Sequence, residues 1–179
     1  AHSAHVHAHG DSFAHEAPAA TEELYAEAYE SAQPDPHDKV VVVDLEAREA
    51  EWSIAPGATI QAWTFNGQVP GPVIEGRVGD VVEVRLTNRL PEPTAIHWHG
   101  LRLPASMDGT EMVQRLVQPG ESFTYRFKLL DAGKFWYHPH TNETVQLERG
   151  LHGALIVRGE GEPALDRAQV LALDDLQLD

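Results

Sequence analysis

From Lys39 onward, the chain alternates in part between polar positions and β-branched or aromatic ones. Five stretches in this region have the length and composition of strands: VVVVDLEARE, ATIQAWTF, VVEVRLTN, SFTYRFKL and GALIVRG. Turn signals separate them, and these are Pro56-Gly57, Asn66-Gly67, Pro70-Gly71-Pro72, Gly79-Asp80 and Pro119-Gly120. Short strands divided by turns, without long helices between them, are typical of an all-β sandwich or barrel. We therefore predict one all-β domain over residues 38–160.

The first 37 residues have a different pattern and are predicted to form an extension outside this domain. Residues 21–32, TEELYAEAYESA, are typical of a short helix, which Thr21 can cap and the prolines that follow would end. Residues 1–20 are polar and include the histidines His2, His5, His7, His9 and His15. Closely spaced imidazoles can bind copper, nickel or zinc, but a solvated leader also explains this composition.

Two segments beyond the predicted strands carry signals of their own. Between His140 and Gly150, the sequence TNETVQLERG is predicted to form one or two helical turns. Residues 161–179 are predicted to be a linker followed by the start of a new strand, AQVLALDDL, which has no partner strand after it. We therefore expect this strand to lead into a second domain that is absent from this chain.

The charge and the absence of cysteine exclude several functions. With 28 Asp and Glu against 13 Lys and Arg, the formal net charge is −15. This argues against nucleic-acid binding, which requires a basic face. No apolar run approaches the length required to cross a bilayer, so we expect no membrane association. Without cysteine, the chain cannot form disulfides, thiolate nucleophiles or cysteine-based metal sites. It also cannot build a blue-copper site alone, because that site requires a cysteine sulfur.

The start of the sequence bears on its location. It begins at Ala1 rather than at a methionine. We expect a protein whose signal peptide has been removed, or a trimmed domain, and therefore a secreted or periplasmic location.

Two His-x-His pairs lie in the β region, His97-Trp98-His99 and His138-Pro139-His140. Alternate side chains of a strand point to the same face, roughly 6–7 Å apart at ~3.3 Å per residue. Each pair is therefore predicted to present two imidazoles in one direction, while Trp98 points the other way into packing. If the two strand ends are neighbours, four imidazoles face one another around a cavity for more than one metal ion. Imidazole binds copper, zinc, iron and nickel, so the ligand type alone leaves the metal open.

A longer series of motifs resembles the first domain of the multicopper oxidases, the laccase-like family. In chain order, the motifs are FNGQVPGPVI, GD at 79–80, IHWHGL, DGT, QPGESFTYRF, GKFWYHPH and GLHGALIV. The resemblance runs from about Trp63 to Val157 and keeps the family's order and spacing. It implies a cupredoxin fold, a Greek-key β-sandwich that agrees with the strand pattern, and it implies copper as the metal.

The resemblance also implies a role for each histidine. In that family, two histidine motifs of the first domain and two of the last hold a trinuclear copper cluster that reduces dioxygen to water. By position, His97 resembles the ligand of the type 2 copper, whereas His99, His138 and His140 resemble ligands of the type 3 pair. Asp108 matches an acidic residue that assists proton delivery in the family, although Asp108-Gly109 is also typical of a plain turn.

The chain departs from a complete enzyme of this family. Such an enzyme oxidises its substrate, a phenol, an aromatic amine or a metal ion, at a type 1 copper and passes electrons on through a Cys-His link. Because this chain has no cysteine, the type 1 copper must lie outside it. We expect the remaining cupredoxin domains on a second polypeptide or a cleaved fragment, and oxidase activity only together with them. The substrate, the oligomeric state and the origin of the chain, as a subunit, a cleavage product or an excised domain, stay open.

Two other functions fit part of the sequence. A non-enzymatic copper-binding or storage module would use the His-rich stretch and the four histidines, but the Met-rich or Cys-rich segment that would favour it is absent. A cupin-type metalloenzyme also carries His-x-His on a β-barrel. Cupins usually follow that pair with a glutamate, where this chain has Gly100-Leu101-Arg102-Leu103-Pro104.

Overall fold

The computed structural model describes residues 33–163 and 166–173. Within these residues, eight strands build the fold: β1 Val40–Ala55, β2 Ala58–Phe65, β3 Ile74–Arg77, β4 Val81–Asn88, β5 His97–His99, β6 Ser122–Lys128, β7 Gly133–His138 and β8 Gly153–Arg158. A 3-10 helix, Ala105–Met107, and a short α-helix, α1 at Glu143–Glu148, complete the regular structure of this part of the chain. The His-rich stretch and the helix predicted at 21–32 lie outside the described residues.

The strands form two four-stranded sheets. One sheet has the order β2-β1-β4-β6 and the other the order β3-β8-β7-β5. The pairs β1–β4 and β3–β8 are parallel, and the other neighbours are antiparallel. The prediction of an all-β sandwich is therefore confirmed.

A single core lies between the sheets, built from the inward-facing residues of both. Trp98 of β5 is only 1% exposed, as predicted from its position between two histidines. Its ring lies 4.9 Å from that of Phe127 and 5.5 Å from that of Tyr125, both on β6 in the opposite sheet. Edge-to-face contacts of this kind stabilise a core beyond the burial of area alone. They hold β5, the edge strand that carries the first histidine pair, against the body of the sandwich.

The five strands predicted from the sequence all form, and so does the helical turn after His140, as α1. The sequence did not predict β3, because this strand has only four residues and one of them is Gly76. The described part of the last predicted strand, residues 168–173, has no regular structure, and Leu171 and Leu173 are exposed. The strand predicted there is therefore not formed in this structure, since a strand requires a hydrogen-bonded neighbour. The second domain beyond it stays a prediction. Among the described residues, no helix is long and apolar enough to cross a membrane.

Candidate metal centre

The pairing of β5 with β7 brings the two histidine motifs together. In this antiparallel register, His97 lies opposite His138 and His99 lies opposite Trp136. Residues directly opposite one another share a face of the sheet, and the rings of His97 and His138 are 5.4 Å apart. Trp136 stacks on His138 at 4.0 Å and lies 5.0 Å from His99. The indole therefore fixes one side of both imidazoles.

Only the first histidine pair lies wholly within a strand. β7 ends at His138, because Pro139 has no N–H to continue the ladder. The chain then turns, and the ring of His140 comes to lie 5.1 Å from that of His97 and 6.5 Å from that of His138. The four predicted histidines therefore converge, although the second pair does so through a turn rather than along a strand.

The nitrogen atoms of three histidines are close enough to share a metal. His97, His99 and His138 each offer a ring nitrogen, and these atoms all lie within 4.8 Å of one another. The Nδ1 of His99 is 3.3 Å from the Nε2 of His138. Two imidazole nitrogens bound to one ion at roughly 2.0–2.1 Å, in tetrahedral geometry, lie about 3.3 Å apart. The donor set therefore fits a metal that prefers imidazole.

Two backbone carbonyls fix which nitrogen each histidine presents. The Nδ1 of His97 donates to the carbonyl oxygen of Asp108 at 2.9 Å, and the Nδ1 of His138 donates to that of Pro139 at 2.8 Å. A carbonyl oxygen only accepts, so the proton of each neutral ring lies on Nδ1. This leaves Nε2 of both histidines with a free lone pair for a metal, an arrangement typical of metal-ligating histidines.

Burial favours the neutral, metal-binding form of His138. Its side chain is 2% exposed, and this burial is the main cause that lowers its pKa below the ordinary value. His97 and His99 nearby lower the pKa further, whereas the Pro139 carbonyl and Glu143 raise it. The Oε1 of Glu143 is 3.4 Å from the Nδ1 of His138. Sequence reasoning missed this carboxylate, since its approach depends on the turn at Pro139 and on α1 starting just after it.

Asp108 lies beside the cluster, directly after the 3-10 helix. Its carboxylate Oδ1 is 3.4 Å from the Nδ1 of His97, and its side chain is 31% exposed. It thus contacts both solvent and a predicted metal ligand. The residue after it, Gly109, has a φ of +77, and a Cβ there would overlap the carbonyl oxygen of Ile96. The turn that presents Asp108 is therefore pressed against the residue that precedes His97.

Comparison with known proteins gives the family. A family model described as multicopper oxidase matches residues 46–162. The chain belongs to the multicopper oxidase family. It is 37% identical over 150 residues to the multicopper oxidase MmcO of Mycobacterium tuberculosis. This match covers 83% of this chain and 29% of the relative. It is also 42% identical over 122 residues to copper resistance protein A of Escherichia coli, covering 66% of this chain and 20% of the relative.

Solved structures agree with this assignment. A crystal structure of a multi-copper oxidase from Pseudomonas thermotolerans superimposes with a TM-score of 0.67 at 47% identity, and the match covers 70% of this chain and 31% of that one. The two sheets therefore form a cupredoxin fold, and copper is the metal that this family uses. The chain spans less than a third of the length of each of these three relatives.

Proposed function

We propose that this chain supplies four ligands, His97, His99, His138 and His140, to a trinuclear copper cluster within a larger oxidase. The observation that carries the proposal is the convergence of four imidazoles from two strand ends. A single ion can take four protein nitrogens, but the group whose ring nitrogens all lie within 4.8 Å of one another contains His97, His99 and His138 without His140. A fourth imidazole from the same chain is better explained by a site for several ions. Copper bound there would reduce dioxygen to water with electrons from a substrate.

The individual roles follow the resemblance to the family's histidine motifs, and the carbonyl contacts indicate which nitrogen would bind. His97, held by the Asp108 carbonyl, would be the ligand of the type 2 copper through Nε2. The other three would serve the type 3 pair, with His99 and His138 presenting Nδ1 and Nε2 toward the same point. The stacked indole of Trp136 limits the rotation of both of these rings and excludes water from one side of them.

Asp108 would hold and move protons. Reducing dioxygen to water consumes a proton for each electron, and a carboxylate in contact with solvent can take up a proton and pass it inward. The Oδ1 of Asp108 lies 3.4 Å from the Nδ1 of His97. We propose that Asp108 relays protons rather than binds copper. Its carboxylate lies beside the Nδ1 of His97, whereas the lone pair that would bind copper is on Nε2, at the other side of the ring.

The rest of the cluster and the electron entry site would come from elsewhere in the protein. A type 1 copper needs a cysteine sulfur, and this chain has none. The match covers only 29% of one relative and 20% of another, so most of each relative lies outside it and leaves room for such a site. We propose a phenolic or metal-ion substrate oxidised there, with the remaining cupredoxin domains lying outside this sequence.

Oxygen consumption with a phenol as electron donor tests this proposal. The copper-loaded chain alone should consume no oxygen, and the protein that combines it with the remaining domains should consume oxygen in proportion to substrate oxidised. His99→Ala should abolish turnover in the combined protein, while Asp108→Asn should keep its copper and lose activity most strongly at high pH, where protons are scarce. Phenol oxidation by the chain alone would overturn the proposal. Copper binding without oxygen consumption by the combined protein would instead favour a storage module.

A further inference from the structure

A series of buried hydrogen bonds lies on the Nδ1 side of His97. The Asp108 carbonyl accepts from His97, and the N–H of Gly109, in the same peptide unit, donates to the Oε1 of Gln114 at 3.1 Å. The Nε2 of Gln114 donates to the hydroxyl of Tyr125 at 3.0 Å. The backbone N–H of Ile96 donates to that same hydroxyl at 2.7 Å. Because Ile96 immediately precedes His97, the series ends one residue before the residue from which it starts.

The direction of each bond in this series is determined. The N–H of Gly109 can only donate, so the oxygen of the Gln114 amide must face it and the nitrogen must face Tyr125. Burial raises the pKa of Tyr125 to about 12, so its hydroxyl keeps its proton at physiological pH. The three bonds from His97 through Gln114 to Tyr125 share one direction and polarise one another, whereas the Ile96 N–H donates to Tyr125 from the other end. The Asp108 carbonyl is therefore a stronger acceptor for His97 than an isolated peptide group.

This series is shielded from water. Gln114 is 7% exposed and Tyr125 and Ile96 are fully buried. Gly109 packs so closely on Ile96 that a Cβ there would overlap the Ile96 carbonyl oxygen. A buried amide or hydroxyl that loses its partner costs about 1–3 kcal/mol. The peptide plane that meets His97 is therefore held from one side by packing and from the other by Gln114.

We infer that Gln114 is a positioning residue, which holds the 108–109 peptide so that His97 carries its proton on Nδ1 and presents Nε2 to the cluster. Gln114 touches neither copper nor substrate in this role. Its effect on the imidazole of His97 does not depend on copper. Only the consequence for copper binding rests on the proposed function.

Nitrogen NMR of the metal-free chain tests the inference, at a pH of about 8, where imidazole is neutral. Gln114→Met removes both hydrogen bonds at similar size and should transfer part of His97 from the Nδ1–H to the Nε2–H tautomer, since the Asp108 carboxylate, 3.4 Å from Nδ1, still favours a proton there. Gln114→Glu keeps an acceptor for Gly109 and should preserve the wild-type tautomer, although a buried carboxylate lowers stability. If Gln114→Glu loses stability but keeps the His97 tautomer, while Gln114→Met changes the tautomer, the role of Gln114 is to position His97 and not only to stabilise the fold.

Gln146→Met is the matched control. Gln146 is also fully buried, and it bonds Thr94, Glu92 and the carbonyl of Pro93. Its loss should destabilise the chain but leave the tautomer of His97 unchanged. Tyr125→Phe should shift the tautomer in the same direction as Gln114→Met by a smaller amount, which keeps the test available if the Met variant does not fold. An unchanged His97 tautomer in both Gln114→Met and Tyr125→Phe would overturn the inference, and so would an equal shift in Gln146→Met.

Copper binding is measured on the same variants. In the chain titrated with cupric ion, Gln114→Met should weaken binding about tenfold, the lower end of the loss expected when a partner of a ligating histidine is removed. Gln114→Glu and Gln146→Met should bind as the wild type does. If the wild-type chain bound no copper, the proposed function would fail, while the tautomer measurement would still decide the role of Gln114.

Discussion

At the scale of single residues, Gly109 meets two separate constraints. Its backbone is left-handed, with φ +77, and a Cβ there would overlap the Ile96 carbonyl next to His97. Gly120 has a similar φ of +85, but nothing lies within 4 Å of the position that a Cβ would occupy. The two glycines therefore share a backbone conformation, but only at Gly109 would an added Cβ meet a neighbouring atom.

Alanine at each of these glycines separates the two costs. Gly120→Ala should lower the free energy of unfolding by about 1–2 kcal/mol, the cost of a left-handed backbone for a residue with a Cβ. Gly109→Ala should cost a further ~1–3 kcal/mol from overpacking against the Ile96 carbonyl. Urea denaturation of both variants measures the difference. Equal losses would show that the close approach to β5 has no energetic weight.

The histidines of the site could be predicted from the sequence, but their partners could not. His-x-His is a local spacing, and its consequence for side-chain direction follows from strand geometry alone. Glu143 and Gln114 reach the site through a turn and through a loop that crosses to the other sheet. No sequence spacing encodes these contacts, since they depend on how the two sheets pack.

At the scale of elements, the loops between strands are held by buried side chains that replace missing backbone partners. Asn88, the last residue of β4, is fully buried and bonds three backbone groups. Its amide donates to the carbonyls of Glu92 and Val117, and its Oδ1 accepts from the N–H of Leu90. It thereby fixes the chain that runs from β4 toward β5.

Asn88→Leu should destabilise the fold strongly. The substitution preserves size but removes the Asn88 partner of the Leu90 N–H and of the Glu92 carbonyl, each loss costing about 1–3 kcal/mol when relaxation brings no water. The carbonyl of Val117 keeps the N–H of Thr94 as a donor. Thr87→Ala is the control next to it, since Thr87 bonds only Ser122 at an exposed position. Thermal unfolding followed by circular dichroism should show a large fall in Tm for the first variant and a small one for the second. Similar values for the two would contradict this account of the loop.

An ion pair joins the chain after β5 to the turn before β7. Arg102 contacts Asp131 through two hydrogen bonds, at 2.7 and 2.8 Å, and these lower the pKa of Asp131. Because the folded pKa is lowered, the pair stabilises the protein above the unfolded pKa of about 3.9. That contribution is lost as the pH falls through the folded value.

Asp131→Asn measures this contribution. At neutral pH the variant should lose less than about 1 kcal/mol, because both side chains are largely exposed. Below pH ~3.9 the difference from wild type should shrink toward zero. Denaturation in urea across this range, combined with Arg102→Met in a double-mutant cycle, isolates the pair. A difference that grows on acidification would have the wrong sign.

The strand pattern predicted most of the elements because long alternating stretches dominate their own structure. It failed at β3, whose four residues follow a proline-rich turn and gain their partner, β8, from the far end of the chain. It also placed the second histidine pair within a strand, whereas Pro139 ends that strand. Both differences arise where tertiary pairing or a missing N–H outweighs local propensity.

At the scale of the whole molecule, the sandwich gathers four imidazoles at the β5 edge of the β3-β8-β7-β5 sheet. The chain covers 29% of one curated relative and 20% of another. A site with imidazoles from only this chain would leave bound copper partly open, which suits a cluster completed by another domain. Under the proposed function, the fold would provide half of a metal centre, with Trp136 and the two carbonyl contacts holding its ligands.

Copper-edge anomalous diffraction from crystals of the combined protein tests the central claim most directly. The account predicts copper bonded to Nε2 of His97, Nδ1 of His99, Nε2 of His138 and a ring nitrogen of His140, with more than one ion in the site. Copper bonded elsewhere, or a single ion that leaves any of these four imidazoles without a metal bond, would contradict it.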